Sequence, residues 1–469
     1  MSTGATTTAP DRIAPLTCEL RFPAASLPGE KGWSSGAIAS AASSTSTNGP
    51  LHKAYASRTE FPHPSAAGPG AETSPAQLPP AALTYLHSYA RPDQVGMIDE
   101  HLKAFRERYP QIQIQQSPEG VGAKLIAAAA AGTPPDLIRS YPQDINDYAA
   151  RGILLDLTSR IKASREIDLR DPDLPQTGFD EMRLGNGLYA IPDTQAAVLI
   201  FYNRDLLQKA GLKEPADSWT AADALATARQ ATNAAAGTWG FNITRSGVRM
   251  MPWVWGNGGD YFDEKYTRTL VDQPAAYEAY QWAADVVARY RYGPTPDEVK
   301  QIPVVPGGAF ASGVYALHVQ NTGGFQDAQA NWKHLNWSVV AWPRGSKGQV
   351  HLIDAIGSAV TGGSKFSDQA WRYSEFAGSK AGQDVWARTW GNPMRLSSLK
   401  YQFGGTVTPQ QQKSIEVALK NQRPRPRFEK AADAQKLIDA DLEAVGAGQT
   451  TAKDALTVAA VKINALLKQ

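Results

Sequence analysis

Two tryptophans, Trp253 and Trp255, flank a glycine-rich run at residues 256–259 that also carries Asn257. Indole rings offer flat apolar planes, and glycines let a ligand approach the backbone, so this stretch suits a ring compound with C–H faces and hydroxyl edges. An alternative reading packs one of the two rings inside the fold. Asp193 and Thr194 stand in a polar triplet before an apolar strand, and Asp354 lies near a second such crossing. Each serves either a ligand or the hinge as a cap. Arg395 can fork two hydrogen bonds to neighbouring hydroxyls or hold its own turn through a salt bridge. His87, Tyr89, Tyr141 and Gln143 belong to segments that follow predicted strands, and Asn321 completes the set. His87 reads more readily as a packed strand-end residue than as a contact.

Nucleophile and metal chemistry find little support. GWSSG at residues 32–36 spells G-x-S-x-G, but it sits in a Ser/Ala/Pro-rich tract instead of a strand-to-helix turn. GNGLYA at 185–190 leads into a strand and Pro192 rather than a helix N-terminus, so it cannot cradle a pyrophosphate. No two of the seven histidines are three to five apart, and Cys18 is the single cysteine, which excludes an intrachain disulfide and a CxxC pair. Neither a metal nor a cofactor is expected. With 47 basic and 45 acidic residues the formal net charge is +2, so a nucleic-acid partner is not indicated. The short cluster RPRPR at 423–427 reads as an extended, solvated loop because of its prolines. No apolar run reaches the roughly 18 residues needed to span a bilayer.

The 469 residues exceed what one core fills, so two folded lobes are expected. The first opens at about Ala81 with a strand at 83–89. Val95, Ile98, Leu102, Phe105 and Tyr109 then step at the helical period up to Pro110. A short strand at Ile112 and Ile114, a helix over about 120–131 stopped by Gly132, and a strand at 136–140 follow, which is β-α-β-α-β and implies a parallel sheet. Ligands of such sheets bind beyond the carboxyl ends of the strands, where 87–89 and 140–143 lie. Residues 196–201 are almost all apolar, as in a strand covered on both faces, and Asn203 caps a helix that Gly211 stops. Thr220 and Asp223 form a capping box, residues 253–261 a loop, and Leu456, Ala459, Ile463 and Leu466 the docking stripe of a last helix.

The order of several motifs carries a resemblance. It includes H-S after the first strand, F-x-x-x-Y-P, K-L-x-A-A-x-A-A-G-T-P-P-D, G-x-Y-x-I-P, Y-N-x-D-L, WVWGNGGDY, FASGVYAL, NWSVVAWPRG and GNPMR. Together they resemble the family 1 extracellular solute-binding proteins of ABC importers, the maltose-binding-protein-like group, over roughly residues 82–469. The resemblance implies an α/β, two-lobe periplasmic-binding-protein-like fold (type II), with crossover hinge segments and a ligand cleft between the lobes. It further implies a monomeric, non-enzymatic receptor outside the cytoplasm that passes a carbohydrate to a membrane permease, with Trp390 and Arg395 touching ligand. A binder of glycerol phosphate or another polar solute is the alternative, and a carbohydrate-active enzyme a more distant one. The expected division is a low-complexity segment at 1–80, a first lobe of 81–195 plus 306–357, and a second of 196–305 plus 358–469. The segment before residue 80 shows neither an export signal nor a lipobox ahead of Cys18. The expectation is therefore that the given N-terminus is not the natural export end.

Overall fold

A computed structural model describes residues 78–243, 247–428 and 430–468. The readings at GWSSG, Cys18 and the low-complexity tract up to residue 77 lie outside the described residues. Ahead of the expected boundary, Leu78 is buried and the Pro79 carbonyl accepts from Gln369 Nε2 at 3.2 Å.

The strands, in chain order, are β1 (Ala81–His87), β2 (Ile112–Ser117), β3 (Leu137–Ser140), β4 (Arg183–Leu184), β5 (Gly187–Leu188), β6 (Ile191–Asn203), β7 (Trp239–Asn242), β8 (Tyr315–Asn321), β9 (Trp337–Val340), β10 (His351–Val360) and β11 (Gln422–Arg423). The expected β-α-β-α-β unit is present. Strands β1 and β2 pair in parallel from Ala81 opposite Ile112, and β1 and β3 in parallel from Tyr85 opposite Leu137. Helices Pro92–Arg108 and Gly122–Ala130 form the two crossovers.

Strand β6 joins two neighbourhoods. Its first half pairs antiparallel with β10, from Ile191 opposite Ser358 to Ala197 opposite Ile353. Its second half, from Val198, pairs with β8 and β9. Pro192 is accommodated next to a register shift in that ladder, where a missing N–H does least harm. Beyond the crossing, alternate residues face opposite ways. Val198, Ile200 and Tyr202 enter one apolar cluster, with Phe241, Val254, Tyr280 and Leu456, while Leu199 and Phe201 enter another, with Phe310, Phe325, Trp332 and Ile415. Burial on both faces is the reason the strand reads as a nearly continuous apolar run.

A third cluster gathers the β1–β3 sheet with its helices and also takes in Ala359, Tyr373, Phe376, Trp386 and Met394. This packing groups two segments differently from the expected division. Residues 310–340 pack with the 196–305 side, because β8 and β9 pair with the second half of β6, and residues 359–394 pack with β1–β3.

Local readings hold where short-range chemistry decides. Asn203 Oδ1 accepts from the Asp205 and Leu206 amides, Gly211 has φ 69°, and Thr220 with Asp223 forms a reciprocal capping box. The last helix, Ala452–Leu467, buries Leu456, Ala459 and Ile463. The loop expected at 253–261 differs: its first part is a helix, Met251–Gly256, opened by Pro252 in the first turn, where its missing N–H has no helical partner to lose.

Candidate functional site

A cavity that collects six of the thirteen expected residues lies where β1, β3, β6, β8 and β10 end or cross. It has a volume of about 170 Å³. Tyr89, Tyr141, Thr194, Asn321, Asp354 and Trp390 all line it, together with Arg91, Gln94, Gln320, Gln326, Asp327 and Asn392. Tyr89 and Trp390 meet edge to face, with centroids 4.9 Å apart and planes at 84°. Trp390 is followed by Gly391 at φ 84°, and a Cβ there would meet the Phe403 ring at 1.8 Å. Only glycine permits the turn that sets Trp390 and Asn392 side by side in the cavity wall.

Behind this wall lies a buried ion pair. Arg139 Nε donates to both carboxylate oxygens of Asp193 (3.1 and 3.0 Å), and Nη2 donates to Asp193 Oδ1 (2.9 Å) and Thr194 Oγ1 (3.0 Å). Both charged side chains are 0% exposed. Burial disfavours the guanidinium charge, but Asp193 holds the group protonated above its ordinary range. The same guanidinium carbon lies 4.9 Å from the Tyr89 centroid, 4.9 Å from Trp386 and 4.7 Å from Trp390. Arg139 thus supports two rings and one hydroxyl of the cavity from outside it.

His87 plays a related part. Its Nδ1 accepts from the Tyr89 amide at 3.3 Å, which leaves Nε2 to donate to Gln116 Oε1 at 2.9 Å. Burial pushes its pKa down to about 4, so the ring is neutral at pH 7. It sets the Tyr89 backbone and does not line the cavity.

Other expected contacts lie elsewhere. Asp193 is consumed by Arg139. Arg395 follows the salt-bridge alternative: Nη1 bonds Asp171 (2.9 Å) and Asp173 (3.3 Å), and Nη2 bonds the Glu166 carbonyl (2.8 Å). Its fork is therefore occupied at 5% exposure. Trp253 is a core residue between Trp282 (4.4 Å) and Trp342 (4.7 Å). Trp255 is buried too, with Nε1 on Asp260 and the Arg423 guanidinium 4.8 Å from its ring. Asn257 braces a turn by donating to the Ala275 carbonyl (2.9 Å) and accepting from Ser346 Oγ (2.9 Å). The two tryptophans mislead as sequence signals because helix Met251–Gly256 buries all six of its residues.

The RPRPR run is the largest departure from expectation, because acceptors on neighbouring elements take up its guanidinium groups. Arg425 is 8% exposed and contacts Asp354 through Nη2, Gln143 Oε1 through Nη1 (2.9 Å) and Glu181 Oε1 through its backbone N–H (3.1 Å). Arg427 Nη1 donates to the Asp180 carbonyl. Gln143 therefore meets Arg425 rather than the first cavity. Asp354 also accepts from Asn321 Nδ2 at 2.8 Å, so the wall carboxylate is held from two sides.

Glu181 is fully buried, and burial raises its pKa from 4.5 to about 7, against the opposing pull of Arg425. Between those values the folded state keeps a proton that the unfolded chain has lost. The resulting stabilisation is complete below pH 4.5 and is lost as pH rises through about 7. At about 1.4 kcal/mol per pKa unit, it amounts to about 3 kcal/mol. Urea melts from about pH 5 to about pH 7.5 should show Glu181→Gln flattening the decline by roughly that amount. An unchanged slope would contradict the assignment.

The sequence profile of the bacterial extracellular solute-binding proteins matches residues 100–400. The chain belongs to that family. Solved structures agree on the fold. An ABC substrate-binding protein from Listeria monocytogenes in complex with cycloalternan superposes with TM-score 0.73 at 23% identity, covering 82% of this chain and 99% of that one. The GacH receptor of Streptomyces glaucescens, solved unliganded and with acarbose, gives 0.68 at 23% identity, covering 84% and 100%. Maltose-bound MalE3 of T. maritima gives 0.67 at 20% identity, covering 82% and 100%. In sequence, an uncharacterized lipoprotein of Streptomyces antibioticus is 25% identical over 139 residues, 29% of this chain and 30% of that protein. The chain thus matches under a third of that relative's length.

The polar residues that line this cavity without having been expected are Arg91, Gln94, Gln320, Gln326, Asp327 and Asn392, and Arg139 and Arg425 hold its wall unexpectedly. Adjacency was a usable signal for Gln320 and Asn392, which neighbour Asn321 and the Trp390 turn. Arg91, Gln94, Gln326 and Asp327 lie at helix starts brought in by long-range packing and leave no local mark.

Proposed function

We propose that the protein captures a neutral carbohydrate outside the cytoplasm and delivers it to an ABC transporter permease. The observation that carries this reading is the makeup of the cavity wall. Three aromatic rings, Tyr89, Tyr141 and Trp390, stand among amides, a hydroxyl and carboxylates. Rings stack on the C–H faces of a sugar, and the polar groups meet its hydroxyls. The charge balance opposes an anionic ligand: Arg91 is already engaged by Asp93 and Asp327, and Arg425 by Asp354. A phosphate would find no unengaged cation in this wall. The cycloalternan, acarbose and maltose named for the structural relatives support the same ligand class. The lipoprotein relative supports an extracytoplasmic location.

We further assign two lobes, 78–195 with 353–395 and 196–352 with 396–468, following the apolar clusters. Ligand closes them about the β6 and β10 crossings, as in hinge-type binding proteins. Tyr89, Tyr141, Thr194, Asn321, Asp354 and Trp390 are the contacts. The test is a thermal-shift screen of neutral mono- and oligosaccharides with glycerol 3-phosphate as the anionic counterpart. A ligand at ~100 times Kd adds ~2.7 kcal/mol. We expect stabilisation by at least one neutral sugar and none by glycerol phosphate; the reverse pattern would overturn the reading. Small-angle scattering with the best sugar should show a smaller radius of gyration.

A further inference from the structure

Arg425 stands between two cavities. Asp354 and Tyr141 belong to the wall of the first; the second, of about 190 Å³, is lined by Gln143, Glu181, Phe262, Phe428 and Arg425 itself, among others. The guanidinium lines the second and reaches the first through its wall residue Asp354, while its other side holds Gln143. Only Pro142, which also lines the second cavity, separates Tyr141 from Gln143 along the chain. Each space alone falls below the ~300 Å³ at the lower end of small-molecule sites, while both together reach that range. Pro424 and Pro426 on either side of Arg425 restrict the backbone of the strap. Asp354 and Glu181, the latter 4.0 Å from Nε, fix the charge in place.

From this geometry we propose that Arg425 is a specificity-determining residue, a partition that limits the length of saccharide the cleft accepts. The inference rests on the carbohydrate reading above. Removing the guanidinium joins the two spaces and frees Asp354, Gln143 and Glu181 as acceptors for the hydroxyls of further sugar units. The second space supplies apolar surface from Phe262 and Phe428 for their C–H faces.

Two variants test it: Arg425→Ala, and Arg425→Ala/Glu181→Gln, which also removes the buried carboxylate the first leaves unpaired. Calorimetric titration with maltose and maltotetraose should show the affinity ratio shifting toward the longer sugar by roughly tenfold or more relative to the unaltered protein. An unchanged ratio overturns the proposal. A ligand-free crystal structure of the double variant gives an independent readout. One continuous cavity from Trp390 to Phe428 upholds the partition, and a strap that collapses to keep two spaces apart overturns it. Should neither sugar bind any of the proteins, the carbohydrate reading fails for these probes and the crystal outcome alone decides the role of Arg425.

Discussion

Replacing Arg139 by Met should lower the free energy of unfolding by about 3–5 kcal/mol, because it strands the Asp193 carboxylate in a site with no exposure. Asp193 would retain Ser358 Oγ (2.6 Å) as a hydrogen-bond donor, which offsets only part of a buried charge. The three rings around the guanidinium would lose their cation as well. The double change Arg139→Met/Asp193→Leu should recover most of the stability, since it removes both charges and leaves apolar groups among Tyr85, Tyr89, Trp386 and Trp390. Urea melts of the three proteins measure this. A single variant within about 1 kcal/mol of the unaltered protein would mean the pair contributes little beyond what water could replace. The double variant should still bind sugar more weakly, because Thr194 Oγ1 loses its donor and the Tyr89 and Trp390 rings lose the planar group that packs against both.

How much of this was legible in the sequence divides along physical lines. Capping at Asn203 and Thr220, the left-handed stop at Gly211 and the period of the first helix depend on residues three or four apart, and all were readable. The two-faced burial of β6 was readable from its unbroken apolar run. Pairing partners were not. Whether 310–340 joins the first or second half of β6 depends on register over more than a hundred residues, which no local pattern encodes. Charged residues were the least legible. The prolines of RPRPR correctly indicate an extended backbone, yet the burial of Arg425 depends on Glu181, Asp354 and Gln143, contributed by three distant segments. Arg139 follows Leu137 and Ile138 in β3 and carries a readable signal: a lone cation at a position that packs inward requires a buried anion, here Asp193.

The tryptophans separate recognition from packing. Trp255→Ala and Trp253→Ala should each lower stability by about 3–5 kcal/mol through cavity formation and leave sugar affinity unchanged, since neither ring lines the cavity. Trp390→Ala should lower stability too, because its ring packs on Tyr89 and Trp386. It should in addition reduce affinity by about 2 kcal/mol, roughly 30-fold, as the loss of an aromatic anchor in a desolvated pocket does. The decisive comparison is therefore between variants of similar stability. Titration calorimetry of Trp390→Ala and Trp255→Ala with the same sugar, at a temperature where urea melts show both folded, should separate them by more than tenfold. Equal affinities would return Trp390 to the core and leave Tyr89 and Tyr141 as the rings available for stacking.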